Sequence, residues 1–567
     1  MSGKDGREIE KKKKEWEETC LKPALKRFGA KEPDARFYTP LDVREFDFLE
    51  KVGFPGEYPY TAGTFPAPVP GAAPQKGAAD MGGGGGLVRA GRYSGYGTVE
   101  DTRDYFLEMR KRGWRSGPRL AFDLPTQNGY DSDDPTVVGE VGGTGVAIDT
   151  LADMETLYEA FTGEYDLDKT ASVFVINATS GIIMAMYAAL AEKRGIPLNK
   201  MRATPQNDIL KEMIARGNYI WPPKPSMRLT RDVLLYCNKH MPLVNSITIN
   251  VYHIREAGAS RPQALGFGLS NGIAYMQLGV DAGLDVDSYA YRINFGNFSG
   301  SMEMYKEVAL RRAARRMWAK IMRERFGAKD PKSWLLRTFG GAMAGCYTMT
   351  VHRPLNNLTR SVLGGVACAM VGDYISCEPP YDEALGLGWS LEAQQLVEDA
   401  SRILHYEAKL SEVIDPWAGS YFMESLTDQI EEETWEVIRK IDSLGGAAAA
   451  IEQGYMQREM AKSAHQYQQE IETGKRIVVG VNAFADETEL EVLTTRVVDD
   501  PYDPKKRATC EARQIARLKK VKAERDNAQV RACLKRLEAE SRDEKANMMY
   551  PIVEAVKAYV SIGEICG

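Results

Sequence analysis

The sequence predicts an α/β fold built as a closed (β/α)8 TIM barrel, with an extended N-terminal arm and a helical C-terminal region. Three observations predict it. From about residue 98 to residue 380, helical spacing alternates with short apolar runs, the mark of parallel βα units. Roughly eight such units over about 300 residues suit a closed barrel. Asp123, Asn177, Gln206, His253, Arg292 and Glu383 are expected just after the predicted strands, and in a barrel these positions share the C-terminal, functional face. A doubly wound open sheet is the rival, but no GxGxxG follows the first strand.

The elements follow in order. Residues 5 to 28 are charged with helical spacing, and the lysine run at 11 to 14 reads as a solvated face. Residues 54 to 91 are rich in Pro and Gly, and five consecutive glycines, Gly82 to Gly86, cannot form a stable helix or strand. No strand precedes them and no GK[ST] follows, so they are not a phosphate cradle. Thr98 and Asp101 start a helix that carries Tyr105, Phe106 and Met109 and stops near Gly113. An apolar run, Leu120 to Phe122, then opens into the polar stretch Asp123 to Asp134.

Helix 150–161 leads to strand Ala171–Ile176, and helix 180–193 to strand Met201–Thr204. Helix 207–216 and a second helical stretch lead to strand Ser246–Asn250, which ends in Tyr252-His253. Helix 262–282 precedes strand Tyr291–Phe295, and helix 301–326 precedes strand Trp334–Phe339. Helix 355–369 precedes strand Asp373–Cys377. Beyond about residue 390 the pattern is helical: Ile430, Thr434, Val437, Ile438, Ile441 and Leu444 keep one face, ended by Gly445-Gly446. Residues 505 to 540 read as one long charged helix, its bases alternating with acids. The expected domains are an arm over 1–86, a barrel over 87–425 and a helical region over 426–567.

Composition narrows the class. At 44% hydrophobic and 27% charged residues the chain reads as globular, and a net charge of -6 gives no reason to expect nucleic acid. No apolar run is long enough to span a bilayer, and the N-terminus lacks the apolar core of a secretory signal. The eight cysteines form no CxxC pair, which points to neither zinc nor disulfides and to a reducing cytoplasm.

Longer motifs carry a resemblance. YSGYG (Tyr93–Gly97), AFDLPTQNGYDSDDP, QNDILKEMIARGNYIWPPKPSMRL, YHIREAGA, YDEALGL, DPWAGSYFMESLT, VVGVN and IVEAVKAYVSIGEICG stand between about residue 54 and the C-terminus. Together they resemble the large, substrate-binding subunit of the adenosylcobalamin-dependent acyl-CoA mutases, the methylmalonyl-CoA mutase family. The resemblance implies a barrel whose centre admits the pantetheine arm of coenzyme A, with adenosylcobalamin above its C-terminal face. It implies a radical migration of the acyl-CoA thioester group to the neighbouring carbon.

It also assigns residues. Tyr93 would pack between acyl group and cofactor, and His253 would hydrogen-bond the thioester carbonyl. Arg216 would pair with the free carboxylate of a methylmalonyl or succinyl group. Thr204 and Gln206 would line the same pocket, and Arg292 would contact coenzyme A. Asp123, Gln127 and Glu383 would face the cofactor, Glu383 at the adenosyl ribose. The sequence departs from the family at Val173-Phe174-Val175, at Asn250-Val251, at Cys377-Glu378-Pro379 and at Met343, and the Pro/Gly insert replaces an arm arginine. These departures suggest an acyl group with a longer alkyl branch.

None of the five histidines lies in the family's cobalt-ligating D-x-H-x-x-G, so no metal site is expected in this chain. A separate small subunit would carry the cobalamin, in a hetero-oligomer of two large and two small subunits. The alternatives are an isobutyryl- or 2-hydroxyisobutyryl-type mutase, which Tyr93 and Arg216 oppose, and a non-catalytic barrel scaffold for a cobalamin protein.

Overall fold

The computed structural model describes residues 3–29, 31–32, 36–43, 46–64, 95–111, 116–296, 298–300, 302–338, 343–344, 346–373, 375–385, 391–485 and 504–567. Tyr93 and Gly82–Gly86 lie outside the described residues.

Short parallel strands, each followed by helix, make the α/β body. β1 (Arg119–Ala121) pairs with β2 (Ser172–Val175), and β2 with β3 (Ala203–Pro205). β4 (Ile247–Ile249) pairs with β5 (Ile293–Phe295), and β6 (Ser299–Gly300) with β7 (Met343–Ala344). Backbone bonds from Asn245 N to the Ala203 carbonyl (2.9 Å) and from Thr248 N to the Gln206 carbonyl (2.8 Å) join β3 to β4. Phe295 bridges in parallel to Thr338. Neighbouring strands are therefore consecutive in sequence, the order that repeated βα crossovers give.

Register fixes two faces, since side chains alternate along a strand. Phe174, Ile247, Ile249, Ile293 and Phe295 are buried toward the helices; Phe174 meets Tyr187 and Phe295 meets Trp318, both on helices. The other face carries Thr204, Thr248 and Asn294, with Thr248 directly beside Asn294. A strand buried on both sides is ordinarily apolar on both. This one is polar on the side away from the helices.

The helix Ser180–Lys193 is buried almost all round, because Met549–Lys557 covers its outer side. Tyr421–Ser443 likewise covers Arg261–Asp281 and Met304–Lys320. The C-terminal helices thus pack into the same two apolar cores as the strands.

Several expected elements differ. The expected Trp334–Phe339 strand begins later: a short helix, Pro331–Trp334, whose N-cap Asp330 binds the Lys332 amide, takes its first residue. Among the described residues Thr338 bridges to Phe295, while the Arg337 carbonyl accepts the Phe295 amide (2.7 Å). Among the described residues of Asp373–Cys377, Ile375 alone makes a bridge. The 505–540 helix is two, Pro504–Glu524 and Asn527–Ser541, because Asp526 caps the second through the Ala528 and Gln529 amides. The N-terminal helix runs Gly3–Trp16 and Lys22–Phe28 with a π-helical turn between. Among the described residues no helix is long and apolar enough to cross a membrane.

Met304–Lys320 buries four arginines, Arg311, Arg312, Arg315 and Arg316. Arg312 bonds Asp415 (3.0 Å), Glu424 (2.7 Å) and Thr427 (3.2 Å) and so ties the helix to the following covering layer. Arg312→Leu would leave two buried carboxylates without their cation. It should lower unfolding free energy in urea by about 3–5 kcal/mol, and a loss under about 1 kcal/mol would contradict the account.

Candidate active site at the strand ends

Polar side chains converge beyond the C-terminal ends of β2, β3 and β4. Asn177 follows β2 and gives its amide to Glu212 Oε1 (2.6 Å) and Gln206 Oε1 (3.2 Å). Its Oδ1 accepts the Asp208 amide (3.0 Å). Asp208 in turn accepts the Asn250 amide (2.8 Å) and the Tyr275 hydroxyl (2.7 Å), which ties the end of β3 to that of β4. Burial raises the Asp208 carboxyl above its ordinary range, opposed first by the Lys211 charge.

Lys211 and Glu212 lie at the centre, both with side chains 0% exposed. Lys211 Nζ sits 2.5 Å from Glu212 Oε1 and 3.2 Å from Gln206 Oε1. Burial lowers the pKa of the Lys211 ammonium, opposed first by the Glu212 charge. Glu212 opens a π-helical turn, Glu212–Arg216, closed by the Gly217 amide on the Glu212 carbonyl. The wider turn sets Arg216 over Glu212, with Arg216 NH1 3.4 Å from Glu212 Oε1. Glu212 Oε2 is enclosed without a partner. Arg216 is partly open, its side chain 27% exposed, and its other donors have no partner among the described residues.

His253 stands on the helix Val251–Glu256, directly after β4. Its ring is half-buried against Tyr252, centroids 5.0 Å apart, and Nδ1 is enclosed without a hydrogen-bond partner. Burial, then the Lys211 and Arg216 charges, hold its pKa well below the usual histidine range. Both effects favour the neutral imidazole, which offers one N–H.

The remaining expected residues occupy other places. Thr204 lies within β3, and its hydroxyl accepts from Asn245 Nδ2 (2.9 Å). Arg292, expected just after its strand, instead lies just before β5, at the strand end opposite to His253, because the strand begins at Ile293. There it shares the Tyr291 ring with Arg337, at 5.3 and 4.2 Å. Burial, then the like charges of Arg337 and Arg202, lower its pKa, and no carboxylate pairs with it among the described residues. Asp123 is buried as a helix N-cap, its oxygens on the Thr126 (3.0 Å) and Gly142 (2.8 Å) amides, and burial pushes it up to about 6. Gln127 donates to the Phe122 carbonyl (2.6 Å) while its Oε1 is enclosed and unpaired. Glu383 is exposed at the start of a short 3-10 turn.

Between the two strand ends runs a line of unsatisfied groups. Ser246 Oγ, Thr248 Oγ1 and Asn294 Oδ1 are buried without partners. They share the polar face with Arg292 at one end and Gln206 and Asn250 at the other. At Gly296 a Cβ would lie 2.1 Å from Asn250 Oδ1, so only glycine lets β5 pass there. Lys211, Glu212 and Asp208 are not expected from the sequence. Their one signal there is three charges in a stretch otherwise apolar enough to be buried. Among the described residues no three His, Cys, Asp or Glu side chains could together hold a metal ion.

Comparison with known proteins concerns the chain as a whole. The family described as Methylmalonyl-CoA mutase matches residues 30–567. The chain is 36% identical to the 2-hydroxyisobutanoyl-CoA mutase large subunit of Aquincola tertiaricarbonis, over 98% of this chain and 95% of that one. It is 37% identical to methylmalonyl-CoA mutase of Escherichia coli K12, over 84% of this chain and 64% of that one. It is 34% identical to the methylmalonyl-CoA mutase large subunit of Streptomyces virginiae, over 93% of this chain and 68% of that one. The chain therefore spans nearly all of the first relative and about two thirds of the other two.

The electrostatics at His253 are directly measurable. Its Cε1–H resonance should keep the neutral-imidazole shift at pH 6.5, where a free histidine is half charged. Protonation with a midpoint near 6.5 would contradict the burial and charge described.

Proposed function

The chain belongs to the methylmalonyl-CoA mutase family, and on that premise we propose that it is the catalytic large subunit of a carboxy-acyl-CoA mutase. Its strands close into a barrel whose polar face is the interior. The domain limits expected from the sequence, 1–86, 87–425 and 426–567, are proposed with it. The observation that carries this reading is the line of unpaired polar groups between Arg292 and His253. A buried hydroxyl or amide without a partner costs about 1–3 kcal/mol. A threaded pantetheine arm, with its two amides, would satisfy them.

The two ends would then do different work. Arg292, Arg337 and Arg202 gather positive charge where coenzyme A phosphates would enter. At the far end His253 would give its N–H to the thioester carbonyl and stabilise negative charge that develops there. Arg216 would meet the free carboxylate with the donors Glu212 leaves open, in a fork suited to it. Thr204 and Gln206 line the path between.

Adenosylcobalamin, when bound, supplies a carbon-centred radical by homolysis of its cobalt–carbon bond. The residues fit it as a guest of this face. Gln127 Oε1 is a buried acceptor without a donor, and Glu383 is open to solvent after the Asp373–Cys377 segment. Asp123 would set the Gln127 helix rather than touch the cofactor, because its oxygens hold backbone amides. Tyr93 completes the proposed catalytic set. The cobalt ligand would come from a small subunit, two large and two small chains forming the assembly, in a reducing cytoplasm.

One observation favours a second reading. Glu212 already gives Arg216 a carboxylate, and the relative from Aquincola tertiaricarbonis is named for a hydroxyacyl substrate. A neutral 2-hydroxyacyl-CoA would leave the Glu212–Arg216 pair undisturbed.

Reconstitution with a small cobalamin-binding subunit separates the two. Wild type should turn over methylmalonyl-CoA or an alkylmalonyl-CoA, and the large chain alone should not. Arg216→Gln should lower kcat/KM for the carboxy-acyl substrate by roughly 2–5 kcal/mol, as loss of one member of a buried charge pair does. Equal losses on carboxy-acyl and 2-hydroxyacyl substrates would make Arg216 structural and favour the second reading.

A further inference from the structure

A cavity of about 620 Å³ lies behind the site, between the helices Ser180–Lys193, Pro223–His240, Asn527–Ser541 and Met549–Lys557. Ile182, Leu229, Val233, Leu537, Met549 and Ile552 give it apolar walls. Its rim also carries Arg228, Asp232, Lys535, Glu538 and Glu564; of these Asp232 holds the Met548 amide (2.9 Å) and Arg231 (2.7 Å), and Glu564 holds Arg525 (2.6 Å).

The cavity adjoins the strand ends. A slot of about 10 Å³ shares Ala178, Gly181, Trp221 and Leu229 with it, and its opposite wall is Asn177 and Asn207. Asn177 is the residue that holds Gln206 and Glu212. The slot is too narrow for an alkyl chain as it stands. Two of its four shared walls, Trp221 and Leu229, are half-buried side chains, so an entering chain would have to displace them. The third is Gly181, where a Cβ would sit 3.5 Å from both Met549 Sδ and Val233 Cγ2, in ordinary contact. A side chain longer than alanine at that position would block the passage.

We propose that this cavity receives a long alkyl branch of the acyl-CoA substrate, entering past Gly181, Trp221 and Leu229. This rests on the acyl-CoA reading above and adds the substrate class: alkylmalonyl- or alkylsuccinyl-CoA with a branch of several carbons. The polar strand ends hold the thioester and carboxylate, and the chain leaves sideways between helices. Nothing in the polar interior could take such a chain without burying unsatisfied hydroxyls and amides against it.

Calorimetric binding to the full large chain, without cofactor, tests this. The probes are methylmalonyl-, butylmalonyl- and octylmalonyl-CoA. In wild type Kd should fall roughly threefold or more per added methylene, as burial of a methylene predicts. Gly181→Leu and, at the outer wall, Leu229→Trp should bind methylmalonyl-CoA within about twofold of wild type yet lose most of the octyl gain. Unchanged methylmalonyl-CoA affinity shows that these variants are folded. Gly181→Ala should keep the gain, because its Cβ fits.

A flat series in wild type, with methylmalonyl-CoA still bound, overturns the alkyl cavity and leaves the mutase reading standing. An octyl gain that survives in both Gly181→Leu and Leu229→Trp also overturns it. If none of the three thioesters binds, the acyl-CoA reading fails and the cavity assignment falls with it.

Discussion

Glu212 keeps a carboxylate out of water while Lys211, Asn177 and Arg216 converge on one of its oxygens. A buried charge of this kind is tolerable only when cations and donors surround it. Each of those donors comes from a different place: Asn177 from the end of β2, Lys211 from the helix after β3, Arg216 from the next turn. Satisfying one carboxylate therefore fixes the relative positions of the site's parts. After burial, the same two cations that stabilise Glu212 are the next influence that lowers the His253 pKa.

The strands add a second constraint. Their helix-facing side chains are apolar and interlock, as a buried parallel sheet requires. Their other face leaves Ser246, Thr248 and Asn294 with buried oxygens that nothing in the described chain satisfies. Folding alone gives no reason to keep such groups, and a polar ligand does. The proposed threading of coenzyme A would run from the arginines that precede the strands to the polar residues that follow them.

Much of this is legible in the sequence. The alternation of periods locates most of the helices and strands, because apolar runs between helical segments have few other readings. Asn177, Gln206 and His253 are legible as polar groups at the ends of such runs. The start of the Trp334–Phe339 strand is misplaced because Asp330 and Pro331, a capped helix start, carry helix through Trp334, while Thr338 does pair with β5. The Asp526 break is hidden in a charged stretch whose residues nearly all favour helix. Arg292 lies inside the run that reads as a strand, and only the register shows that the strand begins after it. The Lys211–Glu212 pair is not legible at all, since neighbouring residues on a helix rarely face each other. Tertiary burial brings them together.

The most direct measurement follows one carbon. Methylmalonyl-CoA labelled with ¹³C at both the thioester carbonyl and the methyl carbon would be incubated with the large chain, a small cobalamin-binding subunit and adenosylcobalamin. If this chain migrates a thioester group between adjacent carbons, a one-bond ¹³C–¹³C coupling appears between the carbonyl and the former methyl carbon. If the labels stay uncoupled while cofactor and substrate are bound, and the alkylmalonyl-CoA analogues labelled in the same two positions behave alike, the chain does not perform this rearrangement.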